Sequence, residues 1–107
     1  MIKIEIFRNQ AGEIAGFQVR GHSNTAPRGQ DIVCAGVSAL TQTAVLGMEK
    51  HLNRDFTLAI RSSGQLKFDL KDDPDTFTGA ILETMLLGLR EIAKANPDNV
   101  SITEIGR

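Results

Sequence analysis

Cys34 is the only cysteine of the chain, and His22, one of two histidines, precedes it by twelve positions. Between them run SNTAPRGQ, a stretch of small and turn-forming residues, and then Asp31, a good helix N-cap. Capping at Asp31 puts Ile32, Val33 and Cys34 in a first helical turn, among backbone N–H groups and at the positive end of the helix dipole. A thiolate is stabilised there, and the thiolate is the nucleophile of cysteine chemistry. An imidazole within hydrogen-bond reach would take the thiol proton. His51 lies seventeen residues beyond Cys34, about 25 Å along a continuous helix, so it is excluded as an intramolecular partner. His22 remains, because a loop of this composition can bring a strand end back beside the next helix, and can act as a lid over a bound chain.

The neighbours have expected roles as well. Asp31 is expected to spend its oxygens on backbone N–H groups or on orienting another side chain, and unpaired first-turn N–H groups are the natural oxyanion donors. No third triad member is evident. Each residue alone has a plainer reading: Cys34 as a small buried hydrophobe, His22 as a surface residue, Asp31 as a cap, Ser38 as a surface or back-bonded hydroxyl. Gly36 is irregular inside a helix and would admit either a substrate backbone or a close-packed neighbour. The combination of first-turn cysteine, capping acid and strand-end histidine raises the catalytic reading.

The elements that must position these residues are legible from periodicity. Ile2, Ile4 and Ile6 alternate with Lys3 and Glu5, NQAGE supplies a turn, and residues 14–22 form a second strand with Ala15, Phe17 and Val19 inward. A helix over about 31–51 carries a stripe of Val33, Val37, Leu40, Ala44, Met48 and His51. Ile32, Ala35, Ala39 and Leu46 make a second apolar side, which predicts packing against another helix or a second subunit. FTLAI (56–60) and LKFDL (66–70) form a hairpin, and Asp75 or Thr76 caps a helix with Phe77, Ile81, Met85, Leu89 and Ile92 at helical spacing, ended at Asn96-Pro97. VSITEI (100–105) adds a fifth strand whose pattern slips between Ile102 and Ile105, as at a bulge or fraying edge. The predicted fold class is α+β, a two-layer sandwich of an antiparallel sheet of four to five strands and two helices, in one domain over residues 1–107.

Composition limits the function. The chain has 107 residues, 41% of them hydrophobic, and a net charge of −1. No Lys/Arg run with interleaved aromatics marks a nucleic-acid binder, and charges break the apolar runs before the roughly 20 residues a membrane span needs. The N-terminus alternates instead of forming a signal-peptide block, so a cytoplasmic location is expected. One cysteine forms no internal disulfide, and two histidines leave no Cys/His zinc spacing, so neither metal nor cofactor is expected.

The stretch GH, a Gly-containing polar loop and DIVCAGVSAL (residues 21–40) resembles the Prp family of ribosomal-processing cysteine proteases. The likeness extends more loosely through the 56–70 hairpin and TMLLGL (84–89). Where that family usually has alanine after the histidine this chain has Ser23, and its loop contains Pro27 and Arg28. The resemblance implies a bacterial cytosolic protease, typically dimeric, that removes an N-terminal extension from a large-subunit ribosomal protein after a pair of aromatic residues. It implies Cys34 as nucleophile and His22 as base, with Gly21, Asp31 and Ser38 in support. Two other readings stay open: a non-enzymatic ribosome-associated module with a structural Cys34, and a thiol hydrolase of small esters or amides that ignores peptide sequence.

Overall fold

The computed structural model of the chain describes residues 1–21, 31–61 and 64–107. Along the chain run β1 (Ile2–Arg8), β2 (Ile14–Arg20), α1 (Ile32–Leu46) with a π-helical turn (Gly47–His51), β3 (Phe56–Ile60), β4 (Leu66–Leu70), α2 (Thr76–Ala95) and β5 (Val100–Gly106). This is the expected order, and the strands form one sheet in the spatial order β3-β4-β2-β1-β5. Four strands are antiparallel; the fifth differs from expectation, lying parallel to β1 and making the sheet mixed. The reason is chain direction: α2 carries the chain back to the end of the sheet where β1 starts, so Val100 pairs with Ile2 and the two strands run on together.

Of the bulge or fraying edge expected at β5, the strand does lie at the edge of the sheet, while the bulge is found between β1 and β2. β5 pairs with β1 without interruption from Val100 to Gly106, whereas Phe7 pairs with Gly16 and Arg8 with Ile14, leaving Ala15 skipped. That extra residue puts both Ile14 and Phe17 on the buried face, although they are three apart. Strict alternation therefore misassigns Ala15, which is only half-buried, and overlooks Ile14. Ile2, Ile4 and Ile6 are buried as their period requires. On the opposite face the Arg107 guanidinium sits 4.0 Å from the centre of the Phe7 ring and 2.7 Å from Asp69 Oδ1, an ion pair without hydrogen-bond alignment.

Both helices begin on an acidic cap. At α2, Asp75 accepts hydrogen bonds from the Phe77 and Thr78 N–H groups, while Thr78 Oγ1 accepts one from the Asp75 N–H, completing a capping box. The Thr78 N–H and the Arg54 guanidinium hold the Asp75 carboxyl below its ordinary range. Arg8 joins Glu83 of α2 and Glu104 of β5, each at 2.7 Å, and Arg90 reaches Glu104 at 2.6 Å. These partly exposed pairs register α2 over the β1–β5 side of the sheet more than they stabilise it.

The helices meet through glycines. A Cβ on Gly36 would lie 3.2 Å from Ile92 Cδ1, on Gly47 3.1 Å from Ile81 Cδ1, and on Gly88 2.9 Å from Leu40 Cδ1. Pairing early α1 with late α2, and late α1 with early α2, makes the helices antiparallel. Gly36 thus serves close packing, the second of its two readings. Of the expected stripe, Val33, Val37, Ala44 and Met48 are buried and Leu40 is half-buried against Gly88; Val45, outside that stripe, is buried too. His51 leaves that stripe and is exposed, because the π-helical turn breaks the rotation of about 100° per residue. Phe77 is likewise exposed, on the outer side of α2. The segment Ile32–His51 is long and apolar enough, by length and composition, to cross a bilayer. Here it forms half of the helical layer, with its main stripe on the sheet.

Two predictions follow from packing and capping. A Cβ at Gly16 would come within 2.5 Å of the Phe68 carbonyl oxygen, whereas nothing lies within 4 Å of one at Gly79. Gly16→Ala is expected to lower the unfolding free energy by about 1–3 kcal/mol, and Gly79→Ala to raise it by about 0.5–1 kcal/mol, both read from urea denaturation. For Asp75, whose folded pKa is depressed, the stabilising contribution is present above the unfolded value of 3.8 and is lost as pH falls through the folded value. Asp75→Asn keeps a capping acceptor that does not titrate. Urea midpoints measured from pH 6 downward should therefore fall more steeply for the wild type than for the variant below about pH 4.

Candidate active site

Asp31 starts α1 from extended backbone (φ −78°, ψ 106°) and is buried. Its Oδ1 accepts from the N–H of Val33 at 2.9 Å and from that of Cys34 at 3.2 Å, and its carbonyl accepts from the N–H of Ala35 at 3.1 Å. The carboxylate thus caps the helix through Oδ1, the first of its two expected uses. The same bonds correct the expectation of a first turn full of spare oxyanion donors. Val33 and Cys34 have given their amides to Asp31, and among the described residues only Ile32 of that turn keeps an N–H without an acceptor.

Cys34 is a free, half-buried thiol at the margin of the core cluster. Its direction follows from the helix contacts. Gly36, Leu40 and Gly47 mark the line of α1 that faces α2, and Cys34 lies about 140° around the helix from that line at 100° per residue. Because α2 sits on the β1–β5 side, Cys34 occupies the flank of α1 turned toward β4 and β3. Ser38 lies one turn further on that flank and is exposed.

At the end of β2, Gly21 has φ +89°, and a Cβ there would stand 2.2 Å from the Met1 carbonyl oxygen. Both the positive φ and the close approach require glycine at the residue that joins β2 to His22. His22 itself, and Ser23, Pro27 and Arg28 of the expected lid, lie outside the described residues. His51 stands at the far end of α1, beyond the π-helical turn. The structure therefore gathers Asp31, Cys34 and Ser38 on one helix end and separates His51 from them.

Sequence reasoning missed one feature of the sheet. Leu58 and Ile60 pair with Phe68 and Leu66, so they share the face that bears the helices, yet they are exposed. Alternation in FTLAI reveals a face but not that β3 would be the last strand of the sheet. Between the helices, on the other flank of α1, an apolar groove of about 600 Å³ is lined by Ala39, Thr43, His51, Ala80 and Thr84 among others.

The family model for the cysteine protease Prp matches residues 1–101. Ribosomal processing cysteine protease Prp of Bacillus subtilis (strain 168) is 32% identical over 108 residues, an alignment that covers 96% of each chain. The protein of the same name from Staphylococcus aureus (strain NCTC 8325 / PS 47) is 28% identical, over 95% of this chain and 97% of its own. Among crystal structures, the essential ribosomal processing protease Prp from S. aureus, in complex with a covalently linked product peptide, matches with a TM-score of 0.92 at 25% identity, over 98% of this chain and all of that one. A Streptococcus mutans protein, SMU.848, matches with a TM-score of 0.86 at 27% identity, over 100% of this chain and 96% of its own. With the five strands and two helices arranged as in those structures and the match running nearly end to end, the chain belongs to the Prp family of cysteine proteases, and the enzyme is a cysteine protease.

Proposed function

We propose that this protease removes an N-terminal extension from a large-subunit ribosomal protein, cutting after aromatic residues, with Cys34 as nucleophile and His22 as general base. The observation that carries the assignment of Cys34 is arithmetic: a cysteine protease needs a cysteine, and this chain has one. Its place in the first turn of α1, half-buried on the flank away from α2, suits a thiolate that an extended peptide can reach. For the base there are two histidines, and His51 stands at the far end of α1, beyond the π-helical turn. The substrate class is carried by the relatives, which are named as ribosomal processing proteases.

In the proposed reaction His22 accepts the Cys34 proton and the sulfur attacks the scissile carbonyl. The tetrahedral intermediate collapses as His22 returns that proton to the leaving amine, releasing the new N-terminus and leaving a thioester on Cys34. Water, deprotonated by His22, hydrolyses the thioester and restores the thiol. Asp31 acts through the helix, holding the first turn in place under the sulfur, and the Ile32 N–H is the first-turn donor left for the oxyanion.

The enzyme is further proposed to act in the cytoplasm as a homodimer. Ile32 (83% exposed), Leu46 (51%), Phe77 (64%) and Leu87 (60%) are exposed apolar side chains of the two helices, and the groove between those helices is apolar as well. Such apolar surface is of the kind that self-association covers.

Cleavage of a purified ribosomal-protein precursor tests the chemistry. Cys34→Ala should abolish it and His22→Ala should lower kcat by about 10²–10⁴-fold; full cleavage by either variant would remove the dyad. Gly21→Ala, which strains the residue before His22, is expected to lower kcat by at least 10-fold with the helices still formed by circular dichroism. Sedimentation equilibrium should give a dimer mass for the wild type and a monomer mass for Leu46→Glu/Leu87→Glu, whereas a monomeric wild type at every concentration would contradict self-association.

A further inference from the structure

The inner face of the sheet is covered unevenly. Along the row Ile60, Leu66 and Ile4 the exposures are 66%, 7% and 1%, and along Leu58, Phe68, Phe17 and Ile6 they are 39%, then 0% for the other three. At these two levels β4 and β1 are covered by the helical layer, Val19 of β2 and Ile102 of β5 are half-buried, and the two edges of the sheet are open, with apolar Leu58 and Ile60 on β3 and charged Glu104 on β5. Exposure also rises along β3 itself, from half-buried Phe56, whose ring packs 5.1 Å from that of Phe68, to Ile60 at the other end. β3 runs parallel to β2, since each is antiparallel to β4. Ile60 therefore stands at the end of the sheet where β2 finishes and from which α1 sets out toward the start of β3. The uncovered apolar surface and Cys34 belong to the same end of the molecule.

They also share one side of α1. Cys34 and Ser38 occupy the flank of α1 opposite to α2, which is the flank overlooking β4 and β3. The half-buried thiol and the open residues Leu58 and Ile60 thus lie on the same side of α1 and toward the same end of the sheet. An uncharged, apolar edge strand left open is an aggregation liability, so natural sheets tend to cover or charge it. FTLAI carries no charge.

We propose that Leu58 and Ile60 form the shelf that receives the apolar side chains of an extended substrate peptide beside the scissile bond. The inference rests on Cys34 as the nucleophile, and it assigns recognition to the sheet face instead of the groove between the helices. An extended peptide suits this site because its alternate side chains point to one side and can sit on Leu58 and Ile60, two residues apart on one face, while its backbone passes the sulfur.

The test uses labelling of Cys34 in the whole protein, with a diphenylalanyl chloromethyl ketone, its diglycyl counterpart and iodoacetamide as probes. The wild type is expected to react at least 10-fold faster with the diphenylalanyl than with the diglycyl reagent. Leu58→Ser/Ile60→Ser, both on the surface, should lose that preference while its iodoacetamide rate stays within 2-fold of wild type. Ala59→Ser, on the other face of the same strand, should keep the preference. A wild type without preference, or a double variant that retains it, overturns the shelf; retention together with loss of a dimer mass would assign the surface to a second copy. Absence of iodoacetamide labelling in the native wild type, with labelling after denaturation, would instead remove the nucleophile on which the shelf depends.

Discussion

The contact of α1 with α2 through Gly36, Gly47 and Gly88 sets the rotation of α1, and the placement of Cys34 follows from it. A glycine inside a helix costs about 1 kcal/mol relative to alanine, so a helix pair that accepts three of them gains something that alanine would not give. The gain is closeness: Ile92, Ile81 and Leu40 each press into the space where a side chain would stand. With one line of α1 fixed on α2 and the Val33–Met48 stripe fixed on the sheet, the flank left over is the one that carries Cys34 and Ser38. The thiol on that flank is anchored by packing on two sides and is only half-buried.

The capping at Asp31 divides the donors of the first turn. A carboxylate cap is the strongest local signal for a helix start, and here it fixes the residue from which Cys34 is counted. It also withdraws the Val33 and Cys34 amides from any role toward substrate, leaving Ile32. The sequence shows an acid at an N-cap position, but whether that acid serves the helix or the chemistry is a question of where its oxygens point, which only the hydrogen bonds answer.

Much of the fold was legible because its signals are local. Alternation in IKIEI, the acid caps at Asp31 and Asp75 and the Asn96-Pro97 stop lie within single elements, and each is observed. What was misread depends on contacts distant in sequence. The skipped Ala15 is defined by its partners on β1, the parallel joining of β5 by the direction in which α2 returns the chain, and the exposure of Leu58 and Ile60 by how far the helical layer reaches. His51 fell off the expected stripe for a local reason that periodicity assumes away, a π-helical turn after Leu46. For the candidate site, residue types and spacing pointed to Cys34 and Asp31, and family likeness supplied the substrate class; the free flank of α1 and the open end of β3 came from packing alone.

The central claim is that His22 makes Cys34 a nucleophile in the folded enzyme. Its most direct test is the rate of iodoacetamide alkylation of Cys34 from pH 5 to pH 10 in the wild type, in His22→Ala and in the urea-unfolded chain. The account predicts that the native wild type reacts at pH 6 well above the unfolded chain, and that His22→Ala loses that advantage. Identical pH profiles for native wild type and His22→Ala would contradict it.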